Sequence, residues 1–353
     1  MGARAPEGFR WPLEDEEDAG RLFAYQPFER HVGRGEYSGL EFLHVNARTI
    51  VNRVPAGSRM PFRYTINVYR GCSHACSYCF ARPTHEHLGL NLAEDFERRV
   101  VVKVNAVERA RAELSSPRWS GDLIAMGTNT DPYQAAEAKY HLTRGIVEVL
   151  AERRNPFSVL TKSTLVLRDL SLLAAASRRG FVRVNLSIGT LDRDVWRLTE
   201  PGTPPPDKRV EALRRLREAG IACGALLAPV LPGLSDGDDQ VRAVAQACRD
   251  AGAISVTPVP LHLRPGVREH YLSWLAANRP ELVEMYESRF LHRAYQPRQV
   301  QQHLAGLVAE VMGGRPDRSR GPRPRPIGSR SRTAPAGEAA PPGTEVAQLG
   351  LFG

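Results

Sequence analysis

Three cysteines lie within eight residues, and their spacing is the most informative feature of the chain. Cys72, Cys76 and Cys79 are separated by gaps of three and two residues. Three thiolates at these gaps can hold three irons of an iron–sulfur cube and leave the fourth iron open to a small molecule. The spacing therefore predicts a reactive metal centre.

Two other uses of the cysteines stay open at this point. A zinc site normally closes with a fourth Cys or His from a second short pair, and His74 inside the loop could reach the metal only by folding back between its neighbours. A disulfide fits poorly with an odd count of five cysteines. The chain also opens without an apolar secretory signal, so we expect a reducing cytoplasm.

The run from Tyr69 to His85 resembles the cluster loop of the radical S-adenosylmethionine (SAM) superfamily. The three cysteines, with Tyr78 before the third, carry this resemblance. The longer run resembles a branch grouped with spore photoproduct lyase and described as DNA-repair-photolyase-like, and the likeness extends from about residue 48 to about residue 290.

This resemblance implies a [4Fe–4S] cluster on Cys72, Cys76 and Cys79, with SAM as the second cofactor. SAM would chelate the open iron and accept one electron from the reduced cluster. Its cleavage would release methionine and a 5′-deoxyadenosyl radical, which abstracts hydrogen from a substrate. An electron donor such as flavodoxin or ferredoxin is implied as well.

The stretches that must position these residues alternate between strand-like and helix-like patterns. Strand-like apolar runs cover 66–69, 100–104, 122–126, 157–160, 182–188, 222–227 and 254–257, and helical spacing covers 106–114, 141–153, 165–177, 207–219 and 237–251. This alternation predicts an α/β protein with a mostly parallel sheet. Periodicity leaves open a barrel or a doubly wound sheet, whereas the resemblance implies a partial (β/α)6 TIM-type barrel.

Composition divides the chain of 353 residues into four parts. We expect an N-terminal extension at 1–47, a radical SAM core barrel at 48–265 and a C-terminal helical segment at 266–312. Residues 313–353 are rich in Arg, Pro and Gly and have few large apolar residues, so we expect a disordered tail there. No run of eighteen apolar residues is present, so no membrane span is predicted.

Polar residues at the predicted strand ends are the candidate ligands for SAM. Reactive groups of such barrels lie at the carboxyl ends of the strands. The resemblance places Thr128 and Asn129 near the SAM amino group and pairs Lys162 with the methionine carboxylate. A purely structural alternative makes Asp131 the N-cap of the next helix and Pro132 its first residue.

The resemblance assigns four further residues to SAM. Ser187 and Arg209 would contact the ribose or the carboxylate, and Tyr78 and the backbone of Phe80 would flank the adenine. These assignments complete the predicted cofactor site.

The source of a returned hydrogen differs from the pattern of the resembling lyase. Spore photoproduct lyase returns hydrogen from a cysteine near the turn that corresponds to Gly127 and Thr128, and this chain has no cysteine there. Cys223 and Cys248 are the spare thiols. Tyr133 is the candidate catalytic donor in place of a thiol.

Two features of the C-terminal part point to nucleic acid. The segment 315–332 holds seven arginines and one acid, so it contributes most of the formal net charge of +9. It is a solvated tail or a sequence-independent phosphate contact. The run from Gln348 to Phe352 resembles the QLxLF peptide that docks bacterial sliding clamps. We therefore expect a nucleic acid substrate, DNA ahead of RNA, with a peptide or small molecule, or a non-catalytic metal-binding scaffold, as alternatives.

Overall fold

The computed structural model describes residues 29–55, 58 and 60–314. Its strands are β1 Glu29–Val32, β2 Glu41–Val45, β3 Val51–Arg53, β4 Tyr64–Ile66, β5 Tyr69–Arg70, β6 Arg99–Lys103, β7 Ile124–Met126, β8 Phe157–Thr161, β9 Val182–Ser187, β10 Ala222–Val230 and β11 Val256–Pro260. Its helices are α1 Glu94–Arg98, α2 Ala106–Ser115, α3 Ala135–Tyr140, α4 Leu142–Glu152, α5 Leu170–Ser177, α6 Arg193–Thr199, α7 Pro206–Glu218, α8 Asp238–Asp250, α9 Val267–Asn278, α10 Val283–Phe290 and α11 Arg298–Met312.

The main sheet has seven strands in the order β11-β10-β9-β8-β7-β4-β3. Strands β4 and β7 to β11 are parallel to their neighbours, and β3 pairs antiparallel with β4 at one edge. Helices connect the successive parallel strands from β7 to β11, as crossover connections require. The predicted α/β class, with six parallel strands in the core, is confirmed.

The apolar run at 100–104 does not belong to this sheet, contrary to the predicted strand series. It forms β6 in a second sheet of order β1-β2-β6-β5, where it pairs parallel with β2. Its residues Val100 to Lys103 are all buried. A strand buried on both faces has the same apolar pattern in any sheet, so the sequence could not indicate which sheet holds it. Residues 29–45 of the predicted extension supply β1 and β2 of this second sheet.

The segment after β11 is helical, as its spacing predicts. Tyr271, Tyr286 and Phe290 are fully buried and pack against one another. Tyr295 differs, because 42% of its surface is exposed. Among the described residues, the helices are too short or too polar to cross a bilayer. Residues 315–353 of the predicted tail and residues 1–28 lie outside the described part of the chain.

Lys103, at the end of β6, makes the stability of the fold depend on pH. Its Nζ is buried and donates a hydrogen bond to the Asn67 carbonyl oxygen at 2.8 Å. Burial lowers the pKa of Lys103 to about 7, whereas an unfolded lysine titrates near ~10.4. Between these values the unfolded chain binds a proton that the native chain lacks, so stability must rise with pH.

We therefore expect the unfolding free energy of the native sequence, relative to Lys103→Met, to rise between pH 7 and pH 10. The slope should approach about 1.4 kcal/mol per pH unit. Urea denaturation of both cluster-free proteins across this range measures the difference. Parallel pH profiles for the two proteins would contradict the account of Lys103.

Candidate active site

The three cysteines lie in a loop that begins directly after β5. The Cys72 amide donates to the Phe96 carbonyl at 2.8 Å, and the Cys79 amide donates to the Cys76 carbonyl at 3.3 Å. Cys72 and Cys76 are buried, and Cys79 is partly exposed. All three line one cavity at the carboxyl ends of the parallel strands. We call this segment, residues 71–82, the cluster loop.

A buried arginine fixes the second half of the cluster loop. The Arg82 guanidinium donates two hydrogen bonds to the Cys76 carbonyl, at 3.2 and 2.8 Å, and it forms an ion pair with Glu97. It also donates to the carbonyls of Leu92 and Ala93. A planar guanidinium holds five donors in a fixed fork and can satisfy several carbonyls at once, whereas lysine has three donors on a flexible stem. Arg82 therefore fixes the backbone on which Cys76 stands.

The first half of the cluster loop is held by Gln134. Its Oε1 accepts from the Ser73 amide at 3.0 Å, and its Nε2 donates to the Gly71 carbonyl at 2.9 Å. The segment after α6 packs on the other side, where the Gly202 amide donates to the His74 carbonyl. A Cβ at Gly202 would lie 2.2 Å from the Ser73 carbonyl oxygen, so only glycine permits this approach.

Burial gives the three thiols an environment that disfavours their charged forms. It raises the pKa of Cys76 to about 12 and raises those of Cys72 and Cys79 as well. A coordinated metal deprotonates thiols outright because its positive charge replaces the lost hydration. The cluster loop is therefore suited to hold thiolates when a cation is bound.

The spacing of the sulfurs distinguishes a cluster from a single ion. The three Sγ atoms do not all lie within 4.8 Å of one another. A tetrahedral zinc with Zn–S bonds of about 2.3 Å would need its sulfur ligands closer together than this. His74, the fourth ligand that the zinc alternative would use, has its Nδ1 3.4 Å from Asp131 Oδ2. The donor set thus fits a polynuclear iron–sulfur cluster better than one zinc ion.

The opposite wall of the cavity comes from the ends of neighbouring strands. Thr128 and Asn129 follow β7, Lys162 follows β8 and Ser187 ends β9, and all four line the cavity. Lys162 Nζ donates to Ser187 Oγ at 2.9 Å and lies 3.9 Å from Glu200 Oε1. The structure therefore brings these predicted residues together with the three cysteines.

The turn after β7 needs both a glycine and an asparagine. A Cβ at Gly127 would lie 2.0 Å from the Leu160 carbonyl oxygen, and the residue has a φ of +93°, which favours glycine. Asn67 then orients the turn, because its Nδ2 donates to Thr128 Oγ1 at 3.1 Å and its Oδ1 accepts from the Asn129 amide at 3.3 Å.

Asp131 connects the turn to the cluster loop and does not cap a helix, contrary to the structural alternative above. Its Oδ2 accepts from the Lys162 amide at 2.7 Å, and its Oδ1 accepts from Thr161 Oγ1 at 2.6 Å. Burial would raise the pKa of Asp131, but the neighbouring His74 and these hydrogen bonds hold it below the usual value. Helix α3 begins at Ala135 and has Gln134 as its N-cap residue, so Asp131 is not in the capping position.

Glu200 is a second buried carboxylate, and it orients Tyr78, which lines the cavity. It accepts hydrogen bonds from the Tyr78 hydroxyl and from Arg209. Burial would raise the pKa of Glu200, but the charges of Arg209 and Lys162 lower it. The ionised carboxylate fixes the Tyr78 ring, over which Lys162 Nζ lies 5.7 Å from the ring centre.

Two predicted site residues do not line the cavity. Arg209 is buried behind it, where Nη1 donates to the Ser187 carbonyl at 3.0 Å and Nε donates to the Pro204 carbonyl. Tyr133 packs in the hydrophobic core, with the Arg168 guanidinium 6.0 Å from its ring centre. Arg209 is thus placed as a positioning residue, and Tyr133 lacks access to a ligand in the cavity.

The spare thiols are also remote from the cavity. Cys223 and Cys248 are buried in the main hydrophobic core, and burial raises the pKa of each to about 12. The structure describes all five cysteines, and Cys72, Cys76 and Cys79 are the ones that line the cavity. The cavity therefore has no cysteine thiol, other than the three predicted cluster ligands, that could act as a hydrogen donor.

Several residues that shape the cavity were missed by the sequence reasoning. Glu200, Gln134 and Asn67 act through partners far away in sequence; Glu200 and Tyr78 are 122 residues apart. The one available signal was position, because Asn67 follows the parallel strand β4.

Comparisons with known proteins agree with this description. Residues 66–245 match the family model of the radical SAM superfamily. An uncharacterized protein of Mycobacterium tuberculosis is 42% identical over 283 residues, which cover 80% of this chain and 83% of that protein. The radical SAM Nalpha-GlyT isomerase of Pseudomonas phage M6 is 27% identical over 169 residues, which cover 48% of this chain and 33% of that protein.

Solved structures with the same fold include spore photoproduct lyase complexed with dinucleoside spore photoproduct. It has a TM-score of 0.56 and 17% identity, and the match covers 77% of this chain and 78% of that one. A mutant of that lyase with bound AdoMet and the same dinucleoside has a TM-score of 0.53 and 17% identity, over 74% and 75% of the two chains. The chain thus belongs to the radical SAM superfamily, as an enzyme that uses a [4Fe–4S] cluster and SAM and has a fold in common with spore photoproduct lyase.

Proposed function

We propose that this radical SAM enzyme abstracts hydrogen from a nucleic acid substrate, with its cofactors held by the residues of the cavity. The observation that carries the cofactor assignment is the convergence of three thiols, two of them buried and one partly exposed, and one ammonium on a single cavity at the strand ends. Cys72, Cys76 and Cys79 would hold the cluster. When bound, the cluster and SAM supply a one-electron cleavage of a carbon–sulfur bond of SAM.

Lys162 is the residue that we assign to the carboxylate of SAM. Its side chain is 16% exposed, so a charge pair there is only weakly screened by water. The charge of Glu200 is not balanced by Lys162 alone, because Arg209 also forms an ion pair with the Glu200 carboxylate at 2.5 Å. The ammonium of Lys162 therefore remains available to an anionic ligand.

The other cavity residues would orient SAM and keep water out. Thr128 and Asn129 present polar groups that Asn67 holds in place, as expected for ligands of the SAM amino group. Ser187 and the Tyr78 ring flank Lys162, and Phe80 adds an apolar wall. A site from which bound SAM and these side chains exclude water would protect a reactive radical from side reactions with solvent. Arg209 would act through Ser187 and Glu200 only.

The nucleic acid assignment is supported by the fold. Spore photoproduct lyase, whose structure contains a dinucleoside spore photoproduct, has the same arrangement of strands and helices over most of this chain. The arginine-rich segment 315–332 adds a sequence-independent affinity for phosphates. The absence of a spare thiol in the cavity argues against hydrogen return from a cysteine. We therefore propose that the enzyme modifies or repairs DNA or RNA, and that any hydrogen returned to the substrate comes from a donor other than a cysteine.

Transfer of deuterium from the substrate tests this proposal. The reconstituted, dithionite-reduced enzyme is incubated anaerobically with unlabelled SAM and with DNA, RNA or peptides from cells grown in heavy water. We expect deuterium in 5′-deoxyadenosine, or in SAM if SAM is regenerated, with a nucleic acid pool. Deuterium transfer from the peptide pool alone, or from none of the pools, would refute the nucleic acid substrate.

We also propose two protein partners. One would bind a segment outside the described residues, and the other would deliver electrons. The run from Gln348 to Phe352 would dock a sliding clamp through its apolar side chains on a tether. A flavodoxin or ferredoxin would deliver the electron to the cluster.

A further inference from the structure

Three aromatic rings form a row that starts at the cavity and ends at the surface. The Phe80 ring centre lies 5.9 Å from that of His262, and the His262 ring stacks on Tyr295 with centres 5.4 Å apart and planes 18° from parallel. Phe80 and His262 line the cavity. Tyr295 is the outer member and is exposed. We call Phe80, His262 and Tyr295 the aromatic row.

The backbone places the outer two rings side by side. His262 and Tyr295 face each other across an isolated antiparallel bridge, and the Leu263 amide donates to the Ala294 carbonyl at 2.8 Å. A ring held by its backbone loses little further entropy when a ligand stacks on it. The row is thus preorganised.

His262 offers a polar edge at the cavity. Its Nε2 is enclosed and has no hydrogen-bond partner among the described residues. Burial, assisted by the nearby Arg264, lowers the pKa of His262 to about 4. The imidazole is therefore neutral at physiological pH, with one nitrogen as a donor and the other as an acceptor. Because Nε2 is enclosed, His262 contributes to the row through its ring, which lies between Phe80 and Tyr295.

Arg264 places a positive charge at the outer end of the row. Its Nη2 donates to the Tyr295 hydroxyl at 2.7 Å, and its guanidinium carbon lies 5.8 Å from the ring centre. Within the part of the chain that the structure describes, no carboxylate forms an ion pair with Arg264. Single-stranded nucleic acids bind proteins at such combinations of an exposed aromatic ring and a cation. A base stacks on the ring, and a phosphate contacts the cation.

From these observations we infer that the aromatic row is a binding surface for the substrate, on which Tyr295 stacks a nucleobase and Arg264 contacts an adjacent phosphate. This inference rests on the proposed function and deepens it, because it specifies a single-stranded or locally unpaired nucleic acid. A base can reach Tyr295 only when it is not stacked inside a duplex.

Fluorescence anisotropy tests the inference on the full reconstituted chain. The probe is a labelled oligothymidylate of about 12 nucleotides, within the usual site sizes for single strands. We expect Tyr295→Ala to weaken binding by about 5- to 150-fold, with SAM binding unchanged. Tyr295→Phe retains the ring and should bind like the native protein. The matched control is Phe181→Ala, which removes an aromatic residue of similar exposure, 39%, next to the amino end of β9.

Salt dependence separates stacking from charge. Stacking releases few counterions, so Tyr295→Ala should keep the salt slope of the native protein, whereas Arg264→Ala should reduce it by about 0.7 for one lost phosphate contact. Equal affinities for the native protein and Tyr295→Ala, or an equal loss in Phe181→Ala, would overturn the role of the aromatic row in binding. Neither result would contradict the proposal of a nucleic acid substrate. Failure of the native protein to bind the oligonucleotide, together with binding of an aromatic peptide, would overturn both proposals.

Discussion

Replacement of Cys76 by alanine is expected to abolish the cluster and all SAM cleavage. Two thiolates cannot hold a cube that needs three protein ligands at its closed corners. The native protein should contain about four irons per chain after anaerobic reconstitution, and Cys76→Ala should show neither this iron content nor the electron paramagnetic resonance signal of a reduced cluster.

Cys223→Ala provides the matched control for this loss. Cys223 is a buried free cysteine in the core, remote from the cavity. The variant should therefore keep both the cluster and SAM cleavage. A full iron content in Cys76→Ala, or an equal loss in Cys223→Ala, would contradict the assignment of the cluster loop.

The second large effect is expected at Lys162, where a methionine substitution should weaken SAM binding by about 30-fold or more. Removal of one partner from a buried, hydrogen-bonded charge pair costs about 2–5 kcal/mol. The substitution also leaves Glu200 with Arg209 as its remaining cation within the buried network. Isothermal titration of SAM into the reconstituted protein measures the affinity.

The iron content of Lys162→Met should stay native, because Lys162 does not hold the cluster. Lys208→Met, which alters an exposed lysine on α7, is the control and should bind SAM normally. Native SAM affinity in Lys162→Met would refute its role as the carboxylate ligand.

The sequence predicted well those features that depend on local pattern. The cysteine spacing indicated the cluster loop, and the strand ends indicated Thr128, Asn129, Lys162 and Ser187, which the structure brings to one cavity. These residues meet because parallel strands end at one edge of a sheet, and their roles toward the cluster and SAM stay predictions.

Features that depend on distant partners could not be predicted. Glu200 reaches Tyr78, and Arg82 reaches the carbonyls of Leu92 and Ala93, through folding contacts that leave no local signal. Tyr133 was predicted from its position in the turn, but its side chain is buried in the hydrophobic core, which position alone does not indicate. The run that became β6 was assigned to the wrong sheet because buried strands look alike in sequence.

The most direct test of the account is the formation of 5′-deoxyadenosine by the anaerobically reconstituted, dithionite-reduced full chain. We expect 5′-deoxyadenosine to appear with the native protein, only in the presence of SAM and reductant, and not to appear with Cys76→Ala. A native protein that carries its full cluster, binds SAM and still forms no 5′-deoxyadenosine would contradict the account.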